Sequence, residues 1–218
     1  MGSQQKNLKE ELAIINQAKK NPEAFGLLYE KYYKEIFIYV NKRIDNLSVA
    51  SDLVSQVFLK ALTHLPNYQF KGFPFSSWLY KIATNQVNQY FRNSKNRRVI
   101  SIEDFYVNKI FSELEEESEV NSKEQTPLLV QLLNQLDESE LQILELRFFE
   151  EKPFKEVAYI LDITENNAKV KTYRIIEKLK KLARGMEPPT QHAIFSLALF
   201  MLILTDVLGL LPAMVFVI

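Results

Sequence analysis

The sequence LDESELQILELRFFEEKPFKEVAYILDITENNAKVKTYRIIEKLKKL, at residues 136–182, has the apolar periodicity of three short helices. The second of these is amphipathic and is predicted to extend from Phe154 to Leu161. A turn at Asp162-Ile163 follows, and Thr164 is placed to cap a longer helix that begins at Glu165. Two helices joined by so short a turn have the spacing of a helix-turn-helix.

The last helix of this segment has two different faces. Its apolar residues are Ala168, Ile175, Ile176 and Leu179, and its outward cations are Lys169, Lys171 and Arg174. A helix that buries one stripe and presents cations and a tyrosine on the other suits insertion into the major groove of DNA. The alternative is a three-helix packing unit with a solvated lysine face, because lysine-rich last turns also occur on ordinary helices.

Upstream, residues 25–98 are rich in aromatic side chains and show the apolar spacing of three or four positions that is typical of helices. A first helix is predicted from Phe25 to about Ile44. A second opens near Ser48, with Asp52 in its first turn, where the helix dipole favours an anion, and it ends at Pro66. The apolar stripe of this second helix consists of Leu53, Val54, Val57, Phe58, Ala61, Leu62 and Leu65.

A third helix is predicted from Phe75 to about Asn93, after a loop of Asn67 to Pro74 that contains the breakers Gly72 and Pro74. One side of this helix carries Trp78, Leu79, Ile82, Ala83 and Val87. The other side and the C-terminal end carry Lys81, Asn85, Asn88, Gln89, Arg92, Lys95, Arg97 and Arg98. A surface of amides and aromatics with cations at its edges can accept single-stranded bases and hold their phosphates.

Three segments of the chain are similar to parts of one known family. FSSWLYKIATNQVNQYFR, at residues 75–92, resembles region 2 of the extracytoplasmic-function (ECF, group IV) sigma factors of the sigma-70 family. DLVSQVFLKAL, at residues 52–62, resembles their core-binding helix, and residues 136–182 resemble their region 4. The order and spacing of the three pieces fit this family, and the resemblance covers about residues 10–184.

This resemblance implies an all-α protein with two helical domains. Region 2 would occupy residues 8–98, an acidic linker residues 99–126, and the helix-turn-helix of region 4 residues 127–184. The implied function is that of a sigma factor, which joins core RNA polymerase and directs it to promoter DNA. An anti-sigma factor is a further expected partner, because such proteins hold free sigma factors inactive.

Promoter opening requires that a base leave the stack and be captured, at a cost of about a few kcal/mol. Asn85 matches the asparagine of the family pattern W-L-x-x-I-A-x-N, which lies in the part that captures a flipped base of the −10 element. The loop from Tyr68 to Phe75 would form part of the pocket wall, and Trp78 is expected mainly to pack in the core. The residues implied for the −10 region are Trp78, Lys81, Asn85, Asn88, Gln89, Arg92, Arg97 and Arg98.

The resemblance also implies a polymerase-binding face on the second helix, consisting of Asp52, Leu53, Ser55, Gln56 and Lys60. In the family this face grips a coiled coil of the largest polymerase subunit. Ser55-Gln56 stands where Gln-Glu is usual, so one carboxylate is lost and Gln56 is expected to act as a neutral hydrogen-bonding group.

In region 4 the recognition helix would contact the −35 element. The residues implied for this contact are Asn167, Lys169, Lys171, Tyr173 and Arg174. The chain departs from the family at the start of this helix, where Asn166-Asn167-Ala168 replaces the usual Gly-Thr-Val. Asparagine favours a helix start, so the fold should be preserved.

Composition agrees with nucleic-acid binding, although the formal net charge is zero. Cations gather at residues 81–98 and 169–184, whereas carboxylates gather in the linker, so the chain is bipolar. The linker either is simply solvated or, as the resemblance implies, threads the polymerase cleft towards the RNA exit path. The sequence has no cysteine and only two histidines, and no catalytic arrangement stands out; we expect no metal, cofactor, small-molecule substrate or enzymatic activity.

The C-terminal segment is atypical for the family. After a short linker at residues 185–192, residues 193–218 are almost wholly apolar, with Asp206 the only charge. As a helix this segment would be about 39 Å long, enough to cross the hydrocarbon core of a bilayer. The preceding cations would keep the domains cytosolic, so we expect a single transmembrane-like anchor at the inner membrane. Asp206 would then contact a membrane partner. The alternative is a tail folded onto the soluble domains or buried against a partner.

Two other functions remain open from the sequence. The chain could be a membrane-tethered helix-turn-helix regulator that never joins RNA polymerase, although such a protein needs no core-binding helix. It could also be a helical interaction protein whose basic faces are merely solvated. Salt distinguishes these possibilities, because phosphate contacts make the affinity for DNA fall steeply with ionic strength.

Overall fold

The computed structural model describes residues 2–44, 46–93 and 131–185, and all regular secondary structure of these residues is helical. The α-helices are α1 (Gly2–Lys20), α2 (Phe25–Asn41), α3 (Leu47–His64), α4 (Phe75–Asn93), α5 (Glu138–Leu144), α6 (Phe154–Leu161) and α7 (Glu165–Gly185). Short 3₁₀ turns at Pro22–Ala24 and Leu65–Asn67 join helices, and a π-helical turn, Glu145–Phe149, follows α5. The predicted all-α class is confirmed for this part of the chain.

Helices α1 to α4 enclose a core built from the apolar stripes of the sequence. Members of those stripes such as Val57, Leu79 and Val87 are fully buried. Aromatic rings join α2 to its neighbours: Phe25 meets Phe58 edge-on at 6.4 Å between centroids, and Tyr39 meets Tyr80 at 4.6 Å. Such pairs contribute about 0.5–1.5 kcal/mol each beyond the apolar area that they bury.

The start of α3 differs from the prediction. The helix begins at Leu47, and its N-cap is Asn46, whose side chain accepts a hydrogen bond from the backbone N–H of Val49 at 3.1 Å. Asp52 therefore lies in the second turn, and the prediction that it sits in the first turn is wrong. An asparagine cap satisfies an orphan N–H directly, so the first turn has no need of an acidic side chain.

The helix-turn-helix has the predicted bounds. Asp162 adopts the left-handed conformation (φ 59°) directly after α6, and the N–H of Ile163 returns to the carbonyl of Ala158 at 3.0 Å. Thr164 caps α7, because its hydroxyl accepts from the N–H of Asn167 at 3.2 Å. The predicted apolar face of α7 is buried.

Backbone contacts divide the chain into two compact units. The first contains the described residues up to Asn93 together with Leu146–Lys169, so α6 packs on α4 within it. The second contains the described residues from 131 to Glu145 and those from Val170 onward. Helix α7 runs from the first unit into the second.

The predicted linker at residues 99–126 and the predicted anchor at residues 193–218, with Asp206, lie outside the described residues, as do Arg97 and Arg98. In the segments 2–44, 46–93 and 131–185, no helix combines the length and the apolar character that crossing a membrane requires.

A capping box begins α5. The Asp137 carboxylate accepts from the N–H of Glu140 at 2.9 Å, and the Glu140 carboxylate accepts from the N–H of Asp137 at 2.9 Å. The hydrogen bond from the Glu140 N–H lowers the pKa of Asp137. Glu140 also pairs with Lys178 of α7 at 2.5 Å, so the cap links α5 to α7.

We expect Asp137→Ala to destabilise the fold by about 0.5–2 kcal/mol in urea unfolding followed by helical circular dichroism. Asp137→Asn, which keeps a good cap, should remain within a few tenths of a kcal/mol, and equal losses in both variants would contradict the capping role. The folded-state pKa of Asp137 is depressed, so the stabilisation should be complete above the unfolded value of about 3.9. It should disappear as the pH falls through the lower folded-state pKa.

Candidate nucleic-acid interface

The C-terminal half of α4 presents the predicted amide and cation face. Asn85, Gln89 and Arg92 are exposed, and Asn88 is partly exposed. Trp78 lies on the other side, where its ring is 4.8 Å from that of Tyr68 and 5.3 Å from that of Phe75. Trp78 therefore packs as expected, and the exposed polar face is available to a nucleic acid.

Lys81, one turn before Asn85, is already engaged within the chain. Its ammonium lies 3.0 Å from the carboxylate of Asp162 and 5.3 Å from the centre of the Tyr159 ring. The hydrogen bond from Lys81 holds the pKa of the Asp162 carboxyl below its usual range. Lys81 must exchange Asp162 for a phosphate if it binds DNA. This exchange costs little free energy, because the carboxylate is well exposed and an exposed ion pair contributes little to stability.

The N-terminal half of α4 contacts α6 and the segment before it. The hydroxyl of Ser77 donates to the carboxylate of Glu156 at 2.7 Å, and that of Tyr80 donates to Glu150 at 2.5 Å. Lys42 pairs with the same Glu150 at 2.7 Å. These long-range polar contacts have no local sequence signal, and the sequence did not predict them.

The exposed face of α3 carries most of the predicted polymerase-binding residues. Asp52, Ser55, Gln56 and Lys60 are exposed. Leu53, by contrast, is only 6% exposed and belongs to the core, although it also lines a groove beside Gln56 and Lys60, so its assignment to the binding face stays a prediction. Its position follows from the apolar stripe in which it lies. Leu59, which is 64% exposed, is the apolar residue of this face, and it was not among the residues predicted to bind polymerase.

A polar network links this face of α3 to α4. The buried side chain of Gln86 donates to the side-chain oxygen of Gln56 at 2.9 Å and accepts from the ammonium of Lys60. Gln56 thus acts as a neutral hydrogen-bonding group within the chain. An open groove of about 350 Å³ runs beside the network, and its lining includes Leu53, Gln89, Tyr90 and Asn93.

The loop between α3 and α4 is fixed at its ends and exposed in its middle. Tyr68 and Phe75 are buried, whereas Phe70 is exposed and Gly72 has a φ of 84°, which favours glycine. Glu11 and Lys19 of α1 hydrogen-bond to the two ends of this loop. No motif marked these two residues, because their partners lie about 50 or more residues away in sequence.

The predicted −35 residues all lie on α7. Asn167 and Arg174 are exposed, and Lys171 falls between them at helical spacing, so these three share one face. Lys169 points elsewhere and pairs with Glu165 at 2.8 Å, a contact that lowers the pKa of Glu165. Tyr173 borders a groove of about 490 Å³ along α7 with Arg174, Glu177, Lys178, Lys181 and Leu182.

The part of the chain that the structure describes contains no group of three or more His, Asp or Glu side chains close enough to hold a metal ion. The polar face of α4 offers amides and cations, and the loop before α4 offers the exposed ring of Phe70. Such groups bind bases and phosphates by hydrogen bonding, stacking and charge, and they require no bond to be made or broken.

Comparison with known proteins identifies both halves of the chain. Residues 28–97 match the model of sigma-70 region 2, and residues 132–181 match that of sigma-70 region 4. RNA polymerase sigma factor YlaC of Bacillus subtilis is 31% identical over 74% of this chain and 93% of its own length. ECF RNA polymerase sigma factor BldN of Streptomyces coelicolor is 28% identical over 73% of this chain and 60% of its own length.

A solved structure, that of CnrH in complex with the cytosolic domain of CnrY, superposes with a TM-score of 0.55 and covers 79% of this chain and 96% of that chain. Its sequence identity is 19%, so the likeness concerns the fold. Both sigma-70 regions are thus present in order, and the relatives include ECF sigma factors. The chain belongs to the sigma-70 family of RNA polymerase sigma factors, and its relatives support its placement among the ECF members.

Proposed function

We propose that this chain joins core RNA polymerase through α3 and recognises a promoter at two places, the −10 element through α4 and the −35 element through α7. The observation that carries the proposal is the exposed face of α4, where Asn85, Gln89 and Arg92 stand free of the core within the segment that matches region 2. An amide can hydrogen-bond a base that has left the stack, and a nearby cation can hold its phosphate.

The proposed division of labour follows from the surfaces. The exposed face of α3 combines an apolar side chain, Leu59, with polar neighbours, as a helix-binding surface should. The shared face of Asn167, Lys171 and Arg174 can enter a major groove, where arginine pairs with guanine edges. The face of α3 would meet polymerase, whereas the faces of α4 and α7 would meet DNA, so mutations in them should separate polymerase binding from DNA binding.

Run-off transcription tests this function. Core RNA polymerase would be mixed with the chain and with genomic fragments, so that the promoter need not be known in advance. We expect discrete transcripts that depend on both the polymerase and the chain. Binding to DNA without any transcript would contradict the proposal and favour a helix-turn-helix regulator that does not join polymerase.

We further propose that residues 193–218 anchor the factor in the inner membrane, with its domains in the cytoplasm, until it is released. The support is the sequence, which carries a single charge, Asp206, in this segment and lysines before it. The charge costs about 2.5–3.5 kcal/mol at the centre of a membrane helix, less than about twenty apolar neighbours supply. A membrane protein or an anti-sigma factor that contacts the tail is the partner proposed for Asp206.

Fractionation tests the anchor. The full chain and a form ending at Glu187 would be compared for their presence in carbonate-washed membranes and for transcript yield in cells. We expect the full chain in the membrane fraction and the shorter form in the soluble fraction with a higher yield. A full chain that washes off with carbonate, or equal yields from both forms, would contradict the anchored and inhibited state.

A further inference from the structure

Two side chains of α1 hold the two ends of the loop that joins α3 to α4. At its start, the ammonium of Lys19 donates to the backbone carbonyl of Tyr68 at 2.6 Å. At its end, the carboxylate of Glu11 accepts from the backbone N–H of Phe75 at 2.8 Å. Glu11 and Lys19 are eight positions apart on one helix, or about 12 Å. Helix α1 therefore holds the two ends of the loop at a fixed separation.

Glu11 is built into the fold rather than placed on its surface. The residue is only 5% exposed, and an unpaired carboxylate at such a position would be costly. It accepts hydrogen bonds from the ammonium of Lys31 at 2.9 Å and from the hydroxyl of Tyr32, in addition to the N–H of Phe75. Burial raises the pKa of Tyr32, and the hydrogen bond to Glu11 raises it further, so this hydroxyl stays protonated and continues to donate.

Helix α4 needs this carboxylate because its own sequence supplies no cap. Pro74 precedes the first residue of the helix, and its side chain has no hydrogen-bond acceptor. The first turn of α4 contains no acidic residue. Since the first N–H groups of a helix lack partners and favour an anion, Glu11 supplies from α1 what the local sequence lacks.

The loop between these anchors has a fixed frame and an exposed tip. The ring of Tyr68 packs at 5.4 Å from Phe75, and the Lys19 ammonium lies 5.8 Å from the centre of the Tyr68 ring. Phe70 and the left-handed Gly72 form the exposed middle. Within the loop, the ring of Phe73 stacks on that of Tyr159 in α6 at 5.0 Å, and the Lys71 ammonium lies 5.9 Å from the centre of the same ring. The position of the exposed residues therefore depends on this contact and on where the two ends of the loop are held.

We infer that Glu11 and Lys19 are positioning residues that fix the loop 68–75 and thereby set how strictly the chain selects the base captured at the −10 element. The inference rests on the proposed function, in which this loop borders the captured base. Selection between bases depends on hydrogen bonds whose geometry fails when the supporting segment shifts by less than 1 Å. Loosening either anchor should therefore reduce discrimination between bases more than overall affinity.

The test uses the full chain with core RNA polymerase on a promoter recovered by run-off transcription. Lys19→Met and Glu11→Gln would each be compared with a control that removes the same charge from the adjacent exposed position, Lys20→Met and Glu10→Gln. The measured quantity is the ratio of open-complex yield on the natural −10 sequence to that on templates with one −10 base substituted. We expect this ratio to fall about three- to tenfold in the two test variants, as the loss of about one hydrogen bond allows, and to stay at the wild-type value in the controls.

An unchanged ratio in Lys19→Met and Glu11→Gln would overturn the inference. A uniform loss of yield on all templates, with the ratio preserved, would also overturn it, because that result describes a contribution to folding alone. If Glu11→Gln fails to fold, Lys19→Met decides, since its bond is to the loop backbone and its side chain is not part of the core. A wild-type chain that does not discriminate between −10 bases would instead contradict the proposed function itself.

Discussion

Asn85→Ala should lower the yield of open complexes about 5- to 150-fold, which corresponds to the loss of about 1–3 kcal/mol of base contact. The side chain is exposed on α4 and is not part of the core, so its removal should leave the fold intact. Its proposed partner is a base that has left the stack, and the effect should therefore appear at melting rather than at the first encounter with duplex DNA. Stopped-flow fluorescence of a 2-aminopurine in the −10 element would measure the melting step.

Asn16→Ala removes an exposed amide of α1, outside the face that is assigned to the −10 element, so it provides the matched control and should melt the promoter as the wild type does. Polymerase binding should be the same in both variants, because α3 is untouched. If Asn85→Ala melted the promoter at the wild-type rate, the assignment of this face to the −10 element would be wrong.

Arg174→Ala should weaken binding to the promoter by about 1–3 kcal/mol if its guanidinium reads a base. Arg174 is exposed and shares the face of Asn167 and Lys171, so it can reach a major groove that accepts α7. The loss should be confined to templates that carry the natural −35 element. Filter binding of the polymerase complex to templates with the natural and with a scrambled −35 element would measure this difference.

Two further variants separate the possible roles of Arg174. Arg174→Lys keeps the charge but loses the planar fork, so it should lose specificity for the −35 sequence if the residue reads a base and little if it holds a phosphate. Lys155→Ala removes an exposed cation of α6 and should leave binding unchanged. An unaltered footprint over the upstream element in Arg174→Ala would contradict the assignment.

Local signals in the sequence were sufficient for the helix-turn-helix and for α4. Thr164 can cap only the helix that follows it, Asp162 tolerates the left-handed conformation, and Pro74 cannot lie in the interior of a helix. Each of these residues restricts the backbone at its own position. The bounds Phe154–Leu161 and Phe75–Asn93 and the start at Glu165 were therefore predicted correctly.

Contacts between distant segments could not be predicted in this way. The bond from Phe75 to Glu11 and the pairing of Lys81 with Asp162 join residues more than sixty positions apart, and no periodicity encodes them. Leu53 shows a related limit: the family pattern assigned it to the polymerase-binding face, whereas its place in the apolar stripe of α3 leaves it only 6% exposed. The assignments of individual residues to promoter bases and to polymerase remain predictions.

Permanganate reactivity of thymines in the −10 element is the measurement that distinguishes a sigma factor from other DNA-binding proteins. A promoter fragment would be probed with core polymerase, with the chain, and with both together. We predict reactive thymines only with both, because α3 must bring polymerase to the DNA while α4 captures the open strand. Absence of reactivity with both, or the same reactivity with the chain alone, would contradict this function.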